Sequence, residues 1–210
     1  MTTTRLLIAR HGNTFTPDQT PTRVGRRTDL PLVPSGQEQA RRLALYLKEH
    51  NLIPDHIVTS VLKRTIEMGT LIEEILEISI PSETSAIFNE IDYGPDENKS
   101  EDDVIARIGT SAIKDWNEKA IVPQGWDVHP QKIIQDWIGF GQECTTKRVG
   151  ETTLVITSNG IARFAPYLTG DFDGFTLGGH PLKISTGALC ILEKTEGNSV
   201  WRIADWNIRP

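Results

Sequence analysis

The residues with the clearest chemical potential lie near the start of the chain, where Arg10-His11-Gly12 directly follows an apolar run. A neutral imidazole such as that of His11 can attack phosphorus, and the adjacent Arg10 guanidinium can hold phosphate oxygens. Gly12 carries no side chain, so backbone N–H groups there can approach a phosphate closely. The triplet therefore indicates phosphoryl transfer to a histidine, although so short a motif also occurs as an ordinary strand end.

The apolar run before the triplet, residues 6–9, predicts a buried strand that ends at the edge of a parallel sheet. Three further polar clusters follow segments that we interpret as strands: Ser60 to Arg64, Asn89-Glu90 and Ser158-Asn159-Gly160. Because the carboxyl ends of parallel strands meet at one edge, we expect the four clusters to converge. Together they would supply arginines, a histidine, an acid and an amide, a set suited to positioning a phosphoryl group and stabilising its charge.

Strand-like and helix-like segments alternate along the chain, an order that predicts a three-layer α/β/α domain with a mainly parallel central sheet. We interpret residues 1–210 as a single domain, with a helical excursion at about 92–150. A capping-box pattern, Ser35-Gly36-Gln37-Glu38, is expected to open the first helix. Strands are predicted at 4–10, 56–59, 86–88, 153–157, 183–193 and 200–206, and helices at 35–50, 62–78, 100–116, 130–138 and 161–168.

The composition is that of a globular protein: 210 residues, 38% of them hydrophobic and 24% charged. The formal net charge of −6 argues against general binding to nucleic acid or membrane surfaces, so an anionic ligand would need a local cluster of arginines. Cys144 and Cys190 lie far apart without metal-ligand spacing, and we interpret them as reduced core thiols of a cytoplasmic protein. The first residues lack the apolar stretch of a signal peptide.

Longer motifs extend these clusters over most of the chain. An apolar strand followed by Arg-His-Gly-x-Thr occupies residues 6–14, and Glu-Ile-Asp-x-Gly occupies residues 90–94. In this combination the chain resembles the histidine phosphatase superfamily, which includes the phosphoglycerate mutases. Further positions that match the family pattern are Gly25, Asp29, Pro31, Leu32, Gly36, Gln39, Ala40, Ser60, Leu62 and Arg64.

The resemblance implies a role for each of these polar residues. His11 would be the nucleophile that forms a phosphohistidine, and Arg10 and Arg64 would bind the phosphate. Glu90 would protonate the leaving alcohol and then activate water. Neither a metal nor a cofactor would be needed, because the arginines supply the positive charge. From position alone, Asp92, Asp96 and Glu97 are rivals of Glu90, which stands closest to the predicted strand end.

Two positions depart from the family pattern. Asn159 stands where the family usually has a second histidine, and Pro17 stands where an asparagine often contacts phosphate. Asn159 can donate a neutral hydrogen bond to a phosphoryl oxygen but carries no charge, which we expect to lower the rate by about ten- to a hundredfold. An amide before glycine also suits a turn. His180 is a second candidate to replace the missing histidine, although an exposed loop position is the simpler interpretation.

These residues predict a phosphatase that hydrolyses a small phosphomonoester through a phosphohistidine. One alternative is a phosphotransferase of the phosphoglycerate mutase type, although the segment after Glu90 lacks the longer tyrosine- and glycine-bearing stretch of the mutases. Another is a catalytically weak relative that binds a phosphorylated ligand, for which Asn159 is the support. The expected partner is a small phosphorylated substrate, with neither nucleic acid nor membrane. The closing strands could leave an exposed edge for a homo-oligomer.

Overall fold

A computed structural model describes residues 2–210, and within them six strands form one mixed sheet. The strand order is β3-β2-β4-β1-β5-β6, with β1 to β4 mutually parallel, and β5 pairs antiparallel with both β1 and β6. This arrangement confirms the predicted α/β class and its mainly parallel sheet. The strands are β1 (Thr3–Arg10), β2 (His56–Thr59), β3 (Ser82–Thr84), β4 (Thr152–Thr157), β5 (Leu189–Thr195) and β6 (Arg202–Ile208).

Helices cover both faces of the sheet because the central strands are apolar on both sides. Side chains alternate along a strand, so Leu6 and Ile8 pack into one hydrophobic cluster while Leu7 and Ala9 pack into the other. All four are fully buried. The second cluster is covered by α1 (Pro34–Glu49) and α2 (Lys63–Leu76), and the first by α3 (Glu101–Lys119), α4 (Pro130–Lys147), α5 (Asn159–Ala162) and α6 (Phe172–Leu177).

The strand predicted at residues 86–88 is wrong: these residues form a 3-10 helix, and β3 lies earlier, at Ser82–Thr84. The reason is the burial of Phe88, whose ring lies 5.0 Å from the rings of both Trp137 and Phe140. An apolar run of three residues is equally compatible with a strand and with a single helical turn that buries one aromatic side chain. Asn89 and Glu90 still follow the loop that leaves the sheet after β3.

Other element boundaries also differ from the sequence prediction. The first helix begins at Pro34, whose fixed φ suits the first helical position, and Val33 precedes it without a side-chain cap. The Ser35 hydroxyl instead accepts a hydrogen bond from Asn13 Nδ2 at 3.3 Å. The helix expected at 161–168 is split into α5 and a 3-10 helix at Ala165–Thr169, because Pro166 interrupts it. The closing strands begin at Leu189 and Arg202, later than predicted.

Both cysteines, Cys144 and Cys190, are buried free thiols. Burial raises the pKa of Cys144 to about 11 and that of Cys190 to about 12, so neither is a reactive thiolate near neutral pH. In the described part of the chain, no helix combines the length and the apolar character needed to cross a membrane.

Candidate active site

A cavity of about 800 Å³ opens at the carboxyl ends of β1 and β4. These strands run parallel and in register, with Arg10 opposite Thr157, so the residues that follow them emerge side by side. The cavity is lined by residues from three stretches of the chain, 10–35, 90–117 and 159–186, among them Arg10, His11, Glu90 and Asn159. The structure thus brings together four of the six site residues predicted from the sequence.

A backbone carbonyl holds the His11 ring through Nδ1, and Nε2 has no hydrogen-bond partner among the described residues. Its Nδ1 lies 2.7 Å from the carbonyl oxygen of Gly12, and because a carbonyl can only accept, Nδ1 carries the proton and donates. In the neutral ring, Nε2 then keeps its lone pair. Burial, assisted by the charges of Arg64 and Arg10, lowers the pKa of His11 well below its usual value of 6.5. The imidazole is therefore neutral at physiological pH, as a nucleophile must be.

Arg10 is anchored through one of its nitrogens. Nη1 donates to the carbonyl oxygen of Ile184 at 2.6 Å, while the buried Nε has no hydrogen-bond partner within the described residues. A buried guanidinium N–H without a partner carries a desolvation penalty that an anion in the cavity would relieve. The arrangement leaves Arg10 able to bind a phosphoryl oxygen beside His11.

Glu90 is buried and held by backbone groups. The N–H of Ile91 donates to Oε1 at 2.9 Å, the N–H of Gly160 donates to Oε2 at 3.2 Å, and the Tyr93 hydroxyl lies 3.4 Å from Oε2. Burial raises the pKa of Glu90 above its usual value of 4.5, while the Ile91 N–H and the charge of Arg64 act in the opposite direction. A carboxyl group with a raised pKa can release a proton to a leaving group and take it back from water.

Two predicted phosphate-binding residues lie outside the lining of the cavity. Arg64 is fully buried, and its Nη1 donates to the carbonyl of Thr28 at 2.9 Å while Nη2 lies 3.3 Å from that of Gly25. Only Nε remains without a partner among the described residues. Gly12 packs so tightly on Gly36 that a Cβ would overlap the backbone there. The absence of a side chain at Gly12 therefore allows the loop after β1 to pack closely against the start of α1.

The three acids considered as alternatives to Glu90 form hydrogen bonds or ion pairs with other residues. Asp96 accepts hydrogen bonds from Arg107 and from the indole of Trp126 at 2.6 Å. Asp92 pairs with Arg27. Glu97 Oε1 accepts from the N–H of Gly25 and the hydroxyl of Thr28, and thereby holds the loop whose carbonyls bind Arg64. None of these three acids lines the cavity.

Asn159 lies in the cavity, whereas His180 does not. The Asn159 Oδ1 accepts a hydrogen bond from the N–H of Ile184 at 2.7 Å. His180 is exposed, and its ring stacks on Phe175 at 5.0 Å. Pro17 is exposed at the mouth of the same cavity. The Asn159 amide therefore keeps an Nδ2 group that has no hydrogen-bond partner among the described residues.

Sequence reasoning missed two residues of this cavity, Tyr93 and Arg163. Tyr93 stands three residues after Glu90, and its ring packs edge-on against Trp126. Arg163 follows Asn159 by four residues, a spacing that places both on one helical face. That spacing was the available signal for Arg163, but a single arginine after a short helix has no distinctive pattern.

Comparison with known proteins identifies the family of the chain. The sequence profile of the histidine phosphatase superfamily (branch 1) matches residues 6–209. The chain belongs to this superfamily. A 2,3-bisphosphoglycerate-dependent phosphoglycerate mutase from Buchnera aphidicola is 32% identical over 106 residues, which is 50% of this chain and 43% of the mutase. The alignments with curated mutases span 39% to 55% of their length.

Solved structures resemble the fold over nearly the whole chain. A mycobacterial glucosyl-3-phosphoglycerate phosphatase has a TM-score of 0.76 and 16% identity, with 99% of this chain and 100% of that chain covered. The alpha-ribazole phosphatase of Shigella flexneri has a TM-score of 0.71 and 18% identity, with 98% of each chain covered. At such identities these structures establish the shared fold alone.

Proposed function

We propose that the protein is a metal-independent phosphatase that hydrolyses a small phosphomonoester through a phosphohistidine on His11. The proposal rests on one observation above all. The hydrogen bond from His11 Nδ1 to Gly12 leaves an unprotonated Nε2 in the cavity that also contains Arg10 and Glu90. These are the nucleophile, the phosphate ligand and the proton donor of such a reaction.

The reaction would proceed in two displacements. In the first, His11 Nε2 attacks phosphorus, the bond from phosphorus to the alcohol oxygen breaks, and Glu90 gives its proton to that oxygen. In the second, the Glu90 carboxylate takes a proton from water, and the resulting hydroxide displaces His11 and forms inorganic phosphate. Arg10 and the Nδ2 group of Asn159 would hold the equatorial oxygens of the phosphoryl group in both steps. Arg64 would contribute its positive charge from outside the lining of the cavity, where it already acts electrostatically on His11.

Hydrolysis of para-nitrophenyl phosphate without added metal tests the proposal. Four proteins are compared: wild type, His11→Ala, Asn159→His, and His180→Ala as a matched loss of a histidine outside the cavity. We expect phosphate release by wild type and His180→Ala, and none by His11→Ala. Rapid quenching with radiolabelled substrate should trap an acid-labile phosphoenzyme in wild type but not in His11→Ala. Equal activity of wild type and His11→Ala would overturn the proposal.

A mutase activity is the second candidate, because curated phosphoglycerate mutases are similar to part of this chain. Transfer of phosphate between the positions of glycerate, without net phosphate release, would identify it. The same His11→Ala variant serves as the control. If neither wild type nor Asn159→His is active but both bind inorganic phosphate, the protein is instead a phosphate-binding relative.

A further inference from the structure

Gln39, a half-buried residue of α1, contacts the loop that follows the nucleophile. Its Oε1 accepts a hydrogen bond from the backbone N–H of Asn13 at 2.8 Å, and its Nε2 donates to both the carbonyl oxygen and the hydroxyl of Thr186 at 3.1 Å. Because a carbonyl oxygen can only accept, the contact with Thr186 requires the NH₂ group on that side and leaves Oε1 for Asn13. The orientation of the Gln39 amide is therefore fixed by its partners.

A single peptide group joins Gln39 to the imidazole of His11. The carbonyl oxygen of the peptide between Gly12 and Asn13 accepts the hydrogen bond from His11 Nδ1 at 2.7 Å. The N–H of the same peptide donates to Gln39 Oε1. A peptide group is planar, so a contact that fixes the direction of its N–H also fixes the direction of its C=O. Gln39 therefore sets the direction of the acceptor that holds the proton on Nδ1.

The position of that proton decides whether His11 can act as a nucleophile. With the proton on Nδ1, Nε2 keeps its lone pair, whereas in the other neutral tautomer Nε2 carries the proton and cannot attack phosphorus. The tautomer of a neutral histidine is set by the hydrogen bonds that its ring nitrogens make. His11 is buried, and hydrogen bonds that are connected in series through a polarisable group strengthen one another in a site of low dielectric constant. The two bonds of this peptide group thus both favour the tautomer that can attack.

The surroundings of Gln39 leave its side chain little freedom to move. A Cβ on Gly187 would overlap the Gln39 side chain, so the turn that contains this glycine packs directly on its methylene groups. The N–H of Gly187 in turn donates to the carbonyl oxygen of His11 at 3.2 Å. The hydroxyl of Thr186 donates to Asn13 Oδ1 at 2.6 Å, which closes a ring of hydrogen bonds with Gln39. The ring ties α1, the nucleophile loop and the turn before β5 to one another.

We propose that Gln39 is a positioning residue for the nucleophile: through the peptide group that follows Gly12, it keeps the proton of neutral His11 on Nδ1 and the lone pair on Nε2. Gln39 does not line the cavity that contains His11, so it acts on the reaction only through the imidazole. This inference rests on the proposed function, which makes Nε2 the attacking atom. It applies equally whether the phosphohistidine is hydrolysed or passes its phosphate to another alcohol.

Three variants separate this role from simple packing. Gln39→Met keeps the approximate length and volume of the side chain and removes both polar contacts, whereas Gln39→Glu keeps an oxygen that can accept from the Asn13 N–H. Gln37→Met makes the same change at an exposed position of the same helix and serves as the control. The readout is the tautomer of His11 at neutral pH, obtained from the NMR shifts of its ring nitrogens in isotope-labelled protein. It requires no substrate, and the signals are assigned with His11→Asn.

We expect wild type, Gln37→Met and Gln39→Glu to carry the His11 proton on Nδ1, and Gln39→Met to show a mixture of the two tautomers. On para-nitrophenyl phosphate, kcat/KM of Gln39→Met should fall by about ten- to a hundredfold, because part of the population has no free Nε2 and the ring is less well aligned. The inhibition constant of inorganic phosphate should change by about threefold or less, because the arginines that attract the anion are untouched. Gln37→Met should match wild type in both measurements.

An unchanged His11 tautomer in Gln39→Met would overturn the inference, and so would loss of the Nδ1 proton in Gln39→Glu. A His11 that carries its proton on Nε2 in wild type would overturn it whether or not any variant folds. The proposed function is judged separately, by the phosphoenzyme and by phosphate release in wild type and His11→Ala. A phosphoenzyme whose tautomer ignores Gln39 refutes this inference alone. A tautomer that depends on Gln39 in a protein that forms no phosphoenzyme refutes the proposed function alone.

Discussion

The side-chain oxygen of Asn159 lies 2.7 Å from the backbone nitrogen of Ile184 and accepts its hydrogen bond. The carbonyl oxygen of Ile184 in turn accepts a hydrogen bond from Arg10 Nη1 at 2.6 Å. The peptide groups of Ile184 therefore connect Asn159 to Arg10, the residue that precedes His11. Since Oδ1 is committed to this contact, the amide can present only its NH₂ group to the cavity, which is the orientation required of a neutral oxyanion donor.

Substitutions at Asn159 should separate this donor role from a purely structural one. Asn159→Asp keeps an acceptor for the Ile184 N–H but places a negative charge beside the phosphoryl group, so we expect kcat/KM to fall by about a hundred- to a thousandfold. Asn159→His adds a donor that can carry charge and should raise kcat/KM by about tenfold. Both are measured with para-nitrophenyl phosphate. Unchanged rates in both variants would show that Asn159 serves only to hold the loop.

Gly160 allows the backbone to approach Glu90, and a methyl group there should displace the carboxyl. A Cβ on Gly160 would overlap Glu90 Oε1, and the N–H of the same residue donates to Oε2. We expect Gly160→Ala to lower kcat/KM by about a hundredfold, because the proton donor loses its position. Gly139→Ala is the control, since a Cβ on this exposed helical residue meets nothing within 4 Å. It should keep full activity and stabilise the fold by about 0.5–1 kcal/mol. Similar activity of the two variants would contradict the assignment of Glu90.

The role of Glu90 as proton donor should be visible in the choice of leaving group. Glu90→Gln removes the proton, so hydrolysis of an alkyl phosphate should slow by about a hundred- to a thousandfold. Hydrolysis of para-nitrophenyl phosphate, whose leaving group needs little protonation, should slow by about tenfold or less. Because burial raises the pKa of Glu90, the wild-type rate on the alkyl ester should fall as the pH rises through that pKa. An equal loss on both esters would assign Glu90 a structural role.

The sequence was sufficient to predict the sheet and the main site because both depend on local pattern. The apolar run before Arg10 defines a central strand, and polar residues after such strands converge at one edge of the sheet. His11, Glu90 and Asn159 were found in this way, and the structure places them in one cavity. The catalytic roles of these three residues are predictions that the variants described here test.

What the sequence did not reveal depends on contacts between distant segments. Arg64 was expected in the cavity, but the carbonyls of the loop at 24–28, itself held by Glu97, bind its terminal nitrogens. Arg163 was overlooked because it is placed by a hydrogen bond to the backbone of α3, far away in the sequence. Likewise, the turn at 86–88 exists because Phe88 fits between aromatic rings from α4. None of these relationships is visible as periodicity or spacing.

The buried imidazole of His11 should also make stability depend on pH. Burial, together with Arg64 and Arg10, lowers its pKa in the folded chain, so below about pH 6.5 the unfolded chain binds more protons than the folded one. The contribution of His11 to the free energy of unfolding is therefore fully present above that pH and is lost as the pH falls. Urea denaturation from about pH 5 to about pH 8 should show wild type losing stability relative to His11→Asn on the acid side. His180→Asn, which removes an exposed histidine, should follow wild type throughout. Parallel curves for wild type and His11→Asn would mean that His11 titrates normally, and the neutral nucleophile required by the proposed mechanism would then lose its physical basis.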